Sequence, residues 1–177
     1  MSTPAEELVS LITGQHGRIK TLMTDVAMAS DAERPAAFER FRRYLAVHEA
    51  AEQTLLHPQG LVEFADDNVS QRRITEEQDA AAVIATLETM RSAGDFKVQF
   101  GLLQEAVTHH AEAEEHEELP RLVAALPEDV IAKVLDGFAR VELWTDDIAD
   151  SPLAGATTFT AMVTRSMTAF ADSTPES

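Results

Sequence analysis

Two stretches of the chain, residues 48–58 and 110–120, carry the same spacing of imidazole and carboxylate groups. Their sequences, HEAAEQTLLHP and HAEAEEHEELP, align without a gap, and in each a His-x-x-x-Glu motif is followed by Pro. Residues four apart on an α-helix lie about 5–6 Å apart at Cβ, so each motif can offer a nitrogen and an oxygen to one ion or to two neighbouring ions. The matched residues are His48 with His110, Glu52 with Glu114, and Pro58 with Pro120.

The repeat extends backwards at the same offset of 62 residues, which pairs ITGQH (12–16) with ITEEQ (74–78). The chain therefore contains two helical hairpins, each with a polar position early in its first helix and His-x-x-x-Glu late in its second. An early position on one helix of an antiparallel hairpin lies level with a late position on the next, so we expect His16 to join the two motifs in one layer. Such nitrogen and carboxylate ligands suit non-haem iron or manganese, and carboxylate-bridged ions would lie about 3.5–4 Å apart.

A solvated acidic face is the alternative interpretation of each motif. One His-x-x-x-Glu in a Glu-rich helical protein is weak evidence for a metal site. Two copies at the same distance from a Pro, within a repeat that also contains His16, favour metal binding. Groups of this kind facing a bundle interior would be costly to bury without a cation, which supports the same interpretation.

The composition limits the other functions open to the chain. Its 177 residues include 14 basic and 31 acidic side chains, and the net charge of −17 argues against nucleic acids and anionic membranes as partners. Because the chain has no cysteine, thiolate metal sites and thiol redox chemistry are excluded, and a metal must be held by nitrogen and oxygen. The opening MSTPAEELVS lacks the features of a secretory signal, and no apolar stretch is long enough to span a bilayer, so we expect a cytoplasmic location.

Helix signals dominate the chain, and strand signals are nearly absent. Four helices are predicted: residues 4–28, a second ending at Pro58, a third from Ser70 to the break at 92–94, and a fourth from Asp95 to Pro120. Their short links predict an all-α fold, an antiparallel up-down four-helix bundle over residues 1–122 that contains the metal site. Residues 127–149 and 156–170 predict two further helices, in a C-terminal extension (123–177) packed on the same domain. Composition leaves open whether these helices cover the bundle, form a dimer surface or dock a partner.

The order of these motifs resembles the hemerythrin-like (HHE cation-binding) family, especially its actinobacterial and mycobacterial members with extra C-terminal helices. The resemblance covers residues 8–122 and rests on a His in the first helix and on HxxxE before Pro in the second and fourth. It implies a bundle that holds an oxo- or hydroxo-bridged pair of non-haem iron ions and reacts with oxygen, peroxide or nitric oxide. The ligands it implies are His16, His48, Glu52, His110 and Glu114.

The sequence departs from the family at position 78, where Gln stands in place of the usual His. A Gln carbonyl is a poor iron ligand, so another group has to complete the coordination. His57, which precedes Pro58, is one candidate; Glu77 is a second, although it would need a local twist of the third helix. Water or hydroxide is a third, and an open position of this kind is what a reactive metal requires.

Several other residues carry weaker expectations. Tyr44 lies four residues before His48, so it is either a proton donor to bound peroxide or an ordinary bundle aromatic. His109 is expected to lie behind the ligands or in solvent, and His116 at the surface. Gly14 and Gly17 flank His16, which suggests that a neighbouring group needs the space. The aromatic residues expected in the core are Phe96, Phe100, Phe138 and Trp144.

Three functions fit the pattern. The first is catalase-like removal of hydrogen peroxide by a di-iron centre, which would make the protein an enzyme acting against oxidative stress. The second is reversible binding or sensing of O2 or NO, and the third is a helical adaptor without catalysis. The replacement of the third-helix His by Gln78 favours reactivity over gas carriage. Spacing alone does not distinguish iron from Mn or Zn, because His and carboxylate groups accept all three.

Overall fold

Six continuous helical stretches make up nearly all of the computed structural model, which describes residues 2–173. Two of these stretches contain a π-helical turn, which divides each into two α-helices. The elements are α1 (Pro4–Met28), α2 (Arg34–Ala51), π1 (Glu52–Leu56), α3 (His57–Glu63), α4 (Val69–Thr89), α5 (Ala93–Ala113), π2 (Glu114–Glu118), α6 (Leu119–Ala125), α7 (Glu128–Asp146) and α8 (Phe159–Ser173). No strand occurs among the described residues, so the predicted all-α fold is confirmed.

The helix starts follow local sequence signals. Thr3 caps α1: its hydroxyl accepts a hydrogen bond from the Glu6 backbone N–H at 3.2 Å, and the Glu6 carboxylate accepts from the Thr3 N–H at 2.8 Å. Ser92 caps α5 by accepting from the Asp95 backbone N–H at 3.3 Å. The fourth helix, which was predicted to begin at Asp95, therefore begins earlier, at Ala93.

The predicted helix ends at Pro58 and Pro120 were also wrong, because both helices continue for several residues beyond the proline. Pro has no N–H, and its ring clashes with a carbonyl of the preceding turn of a regular α-helix. In both helices that preceding turn is π-helical: the His57 N–H bonds to the Glu52 carbonyl, and the Leu119 N–H bonds to that of Glu114. The wider turn accommodates the ring, and the helix then resumes.

The core of the bundle is formed by apolar residues that recur at three- and four-residue steps. On α4 a single buried stripe continues this core into the polar cluster: Ala80, Ile84 and Leu87 are apolar, and Ser70, Arg73 and Glu77 are polar. Phe96, Phe100 and Phe138 are buried as predicted. Trp144 is only half-buried and rests on Phe170, with 4.5 Å between the ring centroids.

The two C-terminal helices pack on the bundle, α7 against α1 and α2, and α8 against α2 and α4. Phe159, Met162 and Phe170 of α8 are fully buried and belong to the same apolar core as the bundle helices. The antiparallel four-helix bundle with additional C-terminal helices is thus confirmed, whereas the division into residues 1–122 and 123–177 stays a prediction. Across residues 2–173, no helix combines the length and apolar character needed to cross a bilayer.

The glycines behave differently from the sequence expectation. A Cβ at Gly14 or Gly17 would meet nothing within 4 Å, so neither residue makes space for a neighbour, and that expectation was wrong. Gly60 is the tight position: a Cβ there would overlap Ser70 Oγ and lie 2.9 Å from Glu118 Oε1. Close approach of α3 to α4 therefore depends on Gly60.

Gly17→Ala and Gly60→Ala should change stability in opposite directions. Ala at the exposed Gly17 should raise the free energy of unfolding of the metal-free protein by about 0.5–1 kcal/mol, because Gly is a poor helix former. Ala at Gly60 should lower it by roughly 1–3 kcal/mol through overpacking. Urea unfolding followed by circular dichroism measures both; shifts of the same sign would contradict this assignment.

Candidate metal centre

Four histidine rings share one arrangement near the middle of the bundle. In each ring Nδ1 lies within hydrogen-bond distance of an oxygen of another side chain, while Nε2 faces a group of buried carboxylates. The Nδ1 contacts are His16 to Glu115 Oε1 at 2.8 Å, His48 to Gln15 Oε1 at 2.9 Å, His57 to Glu118 Oε1 at 3.2 Å, and His110 to Glu76 Oε2 at 3.0 Å. Metal-binding histidines are typically held in this way, because the outer contact fixes the tautomer and leaves Nε2 free to bind the ion.

The carboxylates of Glu52, Glu77 and Glu114 lie among the four Nε2 atoms. The distances from Nε2 are: from His48 to Glu52 2.8 Å; from His16 to Glu114 3.3 Å and to Glu52 3.6 Å; from His57 to Glu77 2.5 Å and to Glu114 3.6 Å; from His110 to Glu114 3.7 Å and to Glu77 3.9 Å. Three overlapping groups could each hold an ion: His16–His48–Glu52, Glu52–Glu77–His110–Glu114, and His57–Glu114–Glu118. Glu52 and Glu114 each belong to two groups, so both stand where a bridging carboxylate is needed.

Buried polar atoms without a hydrogen-bond partner test whether these residues fit a metal. Both carboxylate oxygens of Glu52 and of Glu114 are buried and lack a partner among the described residues, as do the Nε2 atoms of His16 and His110. The histidine Nε2 atoms lie near the oxygens of Glu52 and Glu114, but the angles between them do not fit hydrogen bonds. Leaving such groups unpaired costs about 1–3 kcal/mol each, and more when they are charged. Cations placed among them would satisfy all these atoms, so the donor set fits a metal.

The internal repeat detected in the sequence is present in three dimensions. The turns π1 and π2 each span five residues, lie 62 residues apart, and begin with the Glu of a His-x-x-x-Glu motif. π-Helical turns are rare and often mark functional sites. The two halves differ at the ends of these turns, where Leu56-His57 corresponds to Glu118-Leu119. As a result, His57 of one half meets Glu118 of the other.

Residues 7–122 match the family model of the hemerythrin HHE cation binding domain, which covers well over half of the chain. The chain belongs to this family. The expected resemblance is therefore confirmed, while the actinobacterial subgroup stays a prediction. A search of curated proteins and of solved structures gives no significant match. Hemerythrin-type domains bind cations, and in this one the histidine and glutamate groups described above are the candidate ligands.

Position 78 of this hemerythrin-like domain lies outside the cluster. Gln78 is exposed, whereas Glu77 is buried at 1% and contacts His57. The local twist expected for Glu77 is unnecessary, because α4 is a regular helix whose buried stripe already includes this residue. His57 is also fully buried in the cluster. The structure thus brings together both protein groups considered as substitutes for the usual His, and their role as ligands stays a prediction.

The remaining predicted residues lie away from the cluster. Tyr44 is buried, but its hydroxyl donates to the Glu142 carboxylate on α7, so its recorded hydrogen bond is not to a cluster group. Burial, and then Glu142, raises the pKa of Tyr44 above its ordinary value, which makes the hydroxyl a poor acid. His109 is exposed. His116 is exposed as predicted, with Nδ1 2.6 Å from the Glu112 carbonyl.

In the metal-free hemerythrin-like domain, the pKa values of several cluster groups are raised, which favours their protonated forms. Burial by itself lowers the pKa of His16, but Glu114 and Glu52 outweigh it and raise that pKa to about 10. Burial likewise disfavours the charged form of His110, while Glu114, Glu76 and other acids raise its pKa to about 9. Burial, and then the Glu52 charge, raises the pKa of the Glu114 carboxyl to about 7. A metal would have to displace these protons.

Sequence reasoning missed the residues that support the ligands from behind. Gln15 Oε1 accepts a hydrogen bond from the His48 Nδ1–H at 2.9 Å, and Gln15 Nε2 donates to the Phe138 carbonyl at 2.9 Å, which ties α2, α1 and α7 together. The Phe138 ring also contacts the His48 ring, with 5.9 Å between centroids. Gln15 falls on the buried stripe of α1 between Ile12 and Ile19, so helical periodicity could have identified it. The link to Phe138 has no signal in the sequence.

Glu118 is the second missed residue, and it supports His57. It is fully buried; Oε1 contacts His57 and accepts a hydrogen bond from the Ser70 hydroxyl, while Oε2 has no partner among the described residues. A carboxylate behind a histidine fixes the ring and raises its basicity as a ligand. Its equivalent in the first half of the repeat is Leu56, so alignment of the repeat hid it.

Glu118→Leu should weaken metal binding about 10- to 100-fold, because it removes the carboxylate that orients His57 and substitutes the residue found in the other half of the repeat. Competition with a chelator of known affinity measures the effect. Glu117→Leu, an exposed change in the same turn, is the matched control. Equal affinities for the two variants would show that His57 needs no such support.

Proposed function

We propose that this hemerythrin-like domain holds two iron ions and removes hydrogen peroxide by converting it to water and oxygen. The observation that supports the proposal is a cluster of buried His and Glu groups drawn from all four bundle helices, in which both oxygens of Glu52 and of Glu114 and the Nε2 atoms of His16 and His110 have no hydrogen-bond partner among the described residues. A centre that only stabilised the fold would be expected to use a simpler set of four ligands. This site instead has seven candidate ligand side chains, two of which are shared carboxylates, and that number favours a pair of ions.

The two groups that share Glu52 define the proposed ligand sets. His16 and His48 would hold one ion, and His110 with Glu77 would hold the other, with Glu52 and Glu114 between them. His57 contacts Glu77 and Glu114 and would complete the second set in place of the missing family histidine. Imidazole and carboxylate ligands of this type suit iron; Mn and Zn are the competing ions.

The reaction needs no external reductant. Two molecules of hydrogen peroxide yield one of oxygen and two of water: one peroxide gives up two electrons and two protons, and the other accepts them. When bound, the iron pair would supply the redox capacity for this exchange. The protein holds the four imidazoles by their Nδ1 contacts and keeps Glu52 and Glu114 away from bulk water, with 0% exposure for both.

Metal analysis and oxygen release test the proposal together. Protein purified without added metal should contain close to two iron ions per chain by elemental analysis, and it should release one oxygen per two peroxides. His110→Ala should lower the rate at least tenfold, whereas the exposed His116→Ala should not. Iron-loaded protein that releases oxygen no faster than free iron would exclude peroxide removal. Zinc or manganese in place of iron, or no metal, would exclude the iron assignment.

Reversible binding of O2 or NO is the second candidate function. The burial of His16 and His48, each 2% exposed, favours it, because a dry site protects reduced iron from losing electrons. Anaerobically reduced protein should then show an absorption change on exposure to the gas that disappears when the gas is removed. An irreversible change together with oxygen release from peroxide would favour the first candidate. The adaptor interpretation requires the purified protein to contain no stoichiometric metal.

A further inference from the structure

A cavity of about 550 Å³ lies beside the metal centre and is lined by residues from α1, α2, α4 and α5. Most of its wall is apolar and includes Ile19, Leu45, Val83 and Leu103. At one end it reaches the cluster residues His16 and His110. The cavity therefore has a mostly apolar wall and one polar end, at the cluster. The other polar side chains that line it are half-buried or exposed: Lys20, Asp79, Gln99, Glu105 and His109.

Its volume is far larger than the proposed reaction requires. One water molecule occupies about 30 Å³ in the liquid, and peroxide or dioxygen only about twice that. Pockets of roughly 300–1,000 Å³ lined mainly by apolar side chains are typical of organic ligands. The size and lining of this cavity thus match a molecule with a hydrocarbon body.

Charge at the polar end limits which organic molecules fit. Glu49, Glu52 and Glu77 line this end and are buried, and Glu76 lies next to them. Both signs of charge occur at this end, because His16 and His110 line it beside the carboxylates, so a charged head group of either sign would lose its hydration next to a like charge. A neutral hydroxyl can instead bond to His110 Nε2, which lines the cavity and has no partner among the described residues.

We propose that the cavity binds neutral organic molecules that have an apolar chain and one hydroxyl-type end, with that end towards His110. This binding goes beyond peroxide removal. The apolar walls that drive it are present with and without iron, whereas the hydroxyl contact to His110 Nε2 is available only in the metal-free protein, because an iron ion would occupy that nitrogen. Burial of the hydrocarbon chain supplies the driving force, because it removes apolar surface from water.

Calorimetric titration of metal-free and as-purified protein with 1-octanol and with octanoate tests the proposal. The two probes have chains of equal length and differ in the charge of the head group. We expect 1-octanol to bind with a negative heat-capacity change, and octanoate to bind at least tenfold more weakly. Absence of 1-octanol binding, or equal binding of octanoate, would overturn the proposal.

Two matched substitutions on α4 locate the binding. Ala80 lines the cavity and is buried, whereas Ala85 on the same helix is exposed, so Ala80→Phe should weaken 1-octanol binding at least tenfold and Ala85→Phe should leave it unchanged. Val83→Phe, at a half-buried position of the cavity wall, replaces Ala80→Phe if that variant does not fold. If Ala80→Phe and Ala85→Phe bind 1-octanol equally well, the alcohol binds outside this cavity. Iron content and oxygen release measured on the same samples separate failure of this proposal from failure of the proposed function.

Discussion

Glu114→Gln is expected to reduce the iron bound by the protein from two ions to fewer than one per chain. Glu114 contributes oxygen atoms to two of the three candidate ion-binding groups, and both oxygens are buried without a partner among residues 2–173. The amide keeps the shape of the side chain but removes its charge and one of its acceptors. We expect metal affinity to fall by more than about 100-fold, because residues behind the ligands already contribute roughly 10- to 100-fold.

The same variant separates loss of metal from loss of fold. Burial and the neighbouring Glu52 charge disfavour ionisation of Glu114 in the metal-free protein. Removing that charge should therefore leave metal-free Glu114→Gln at least as stable as the metal-free wild type at pH 8, by urea unfolding. Glu117→Gln, an exposed change in the same π turn, should bind iron normally. Normal iron content in Glu114→Gln, measured by elemental analysis after dialysis against a weak chelator, would remove Glu114 from the ligand set.

Removing the metal should lower the melting temperature by about 8–16 °C at pH 8 and by less at pH 6. A ligand present at 1,000 times its Kd stabilises the folded state by about 4.1 kcal/mol, and 1 kcal/mol shifts Tm by about 2–4 °C in a protein of this size. Metal binding requires neutral imidazoles and ionised carboxylates, so it strengthens as pH rises. The difference in Tm between the metal-bound and the metal-free protein should therefore increase with pH.

Stability of the metal-free protein should change in the opposite direction. The pKa of His16 is raised to about 10 and that of His110 to about 9, so their stabilising protonation is complete below pH 6.5 and is lost as pH rises to 9–10. The pKa of Glu114 is raised to about 7, so its ionisation also lowers the stability of the metal-free protein as pH rises from 4.5 to 7. For Glu52, burial favours the protonated form, but the charges of His48 and the other nearby imidazoles outweigh it and lower the pKa well below its ordinary value. The stability that this group contributes is therefore complete above pH 4.5 and is lost only in acid.

Differential scanning calorimetry of metal-free and iron-loaded protein between pH 6 and 9 measures both trends. The metal-free Tm should fall across this range, and the gap to the iron-loaded protein should widen. A metal-free Tm that rises with pH would show that the imidazoles are not held among carboxylates. His116→Ala provides the control, because this exposed histidine should leave both curves unchanged.

Much of the candidate ligand set was already evident in the sequence, because its spacing depends on local periodicity. His-x-x-x-Glu places two groups on one face of any α-helix, and a repeat at 62 residues brings two such faces together in any pair of antiparallel hairpins. His16, His48, Glu52, His110 and Glu114 were identified in this way, and the structure places them in one buried cluster. The all-α fold was predicted from the helix signals along the chain, and the family from the resemblance of its motif order.

The rotation of each helix about its axis was harder to predict, and the errors follow from it. Neighbouring residues on a helix point about 100° apart, so Gln78 and Glu77 exchange roles with a small change in helix orientation. Alignment of the repeat selected position 78, while packing of the stripe that contains Arg73 and Ala80 turned Glu77 inwards. Contacts between distant segments were beyond sequence reasoning altogether, including Glu118 behind His57 and the Phe138 carbonyl behind Gln15.

By itself, the sequence determined which helices form and which of their faces carry imidazole and carboxylate groups, because both depend on residues a few positions apart. Only the tertiary structure decided which of those groups are buried together, how the π turns carry each helix past its proline, and which side chains hold the histidine rings. Those features depend on packing between helices that are distant in the chain, where a few ångströms of shift decide whether a polar atom meets a partner, solvent or an ion.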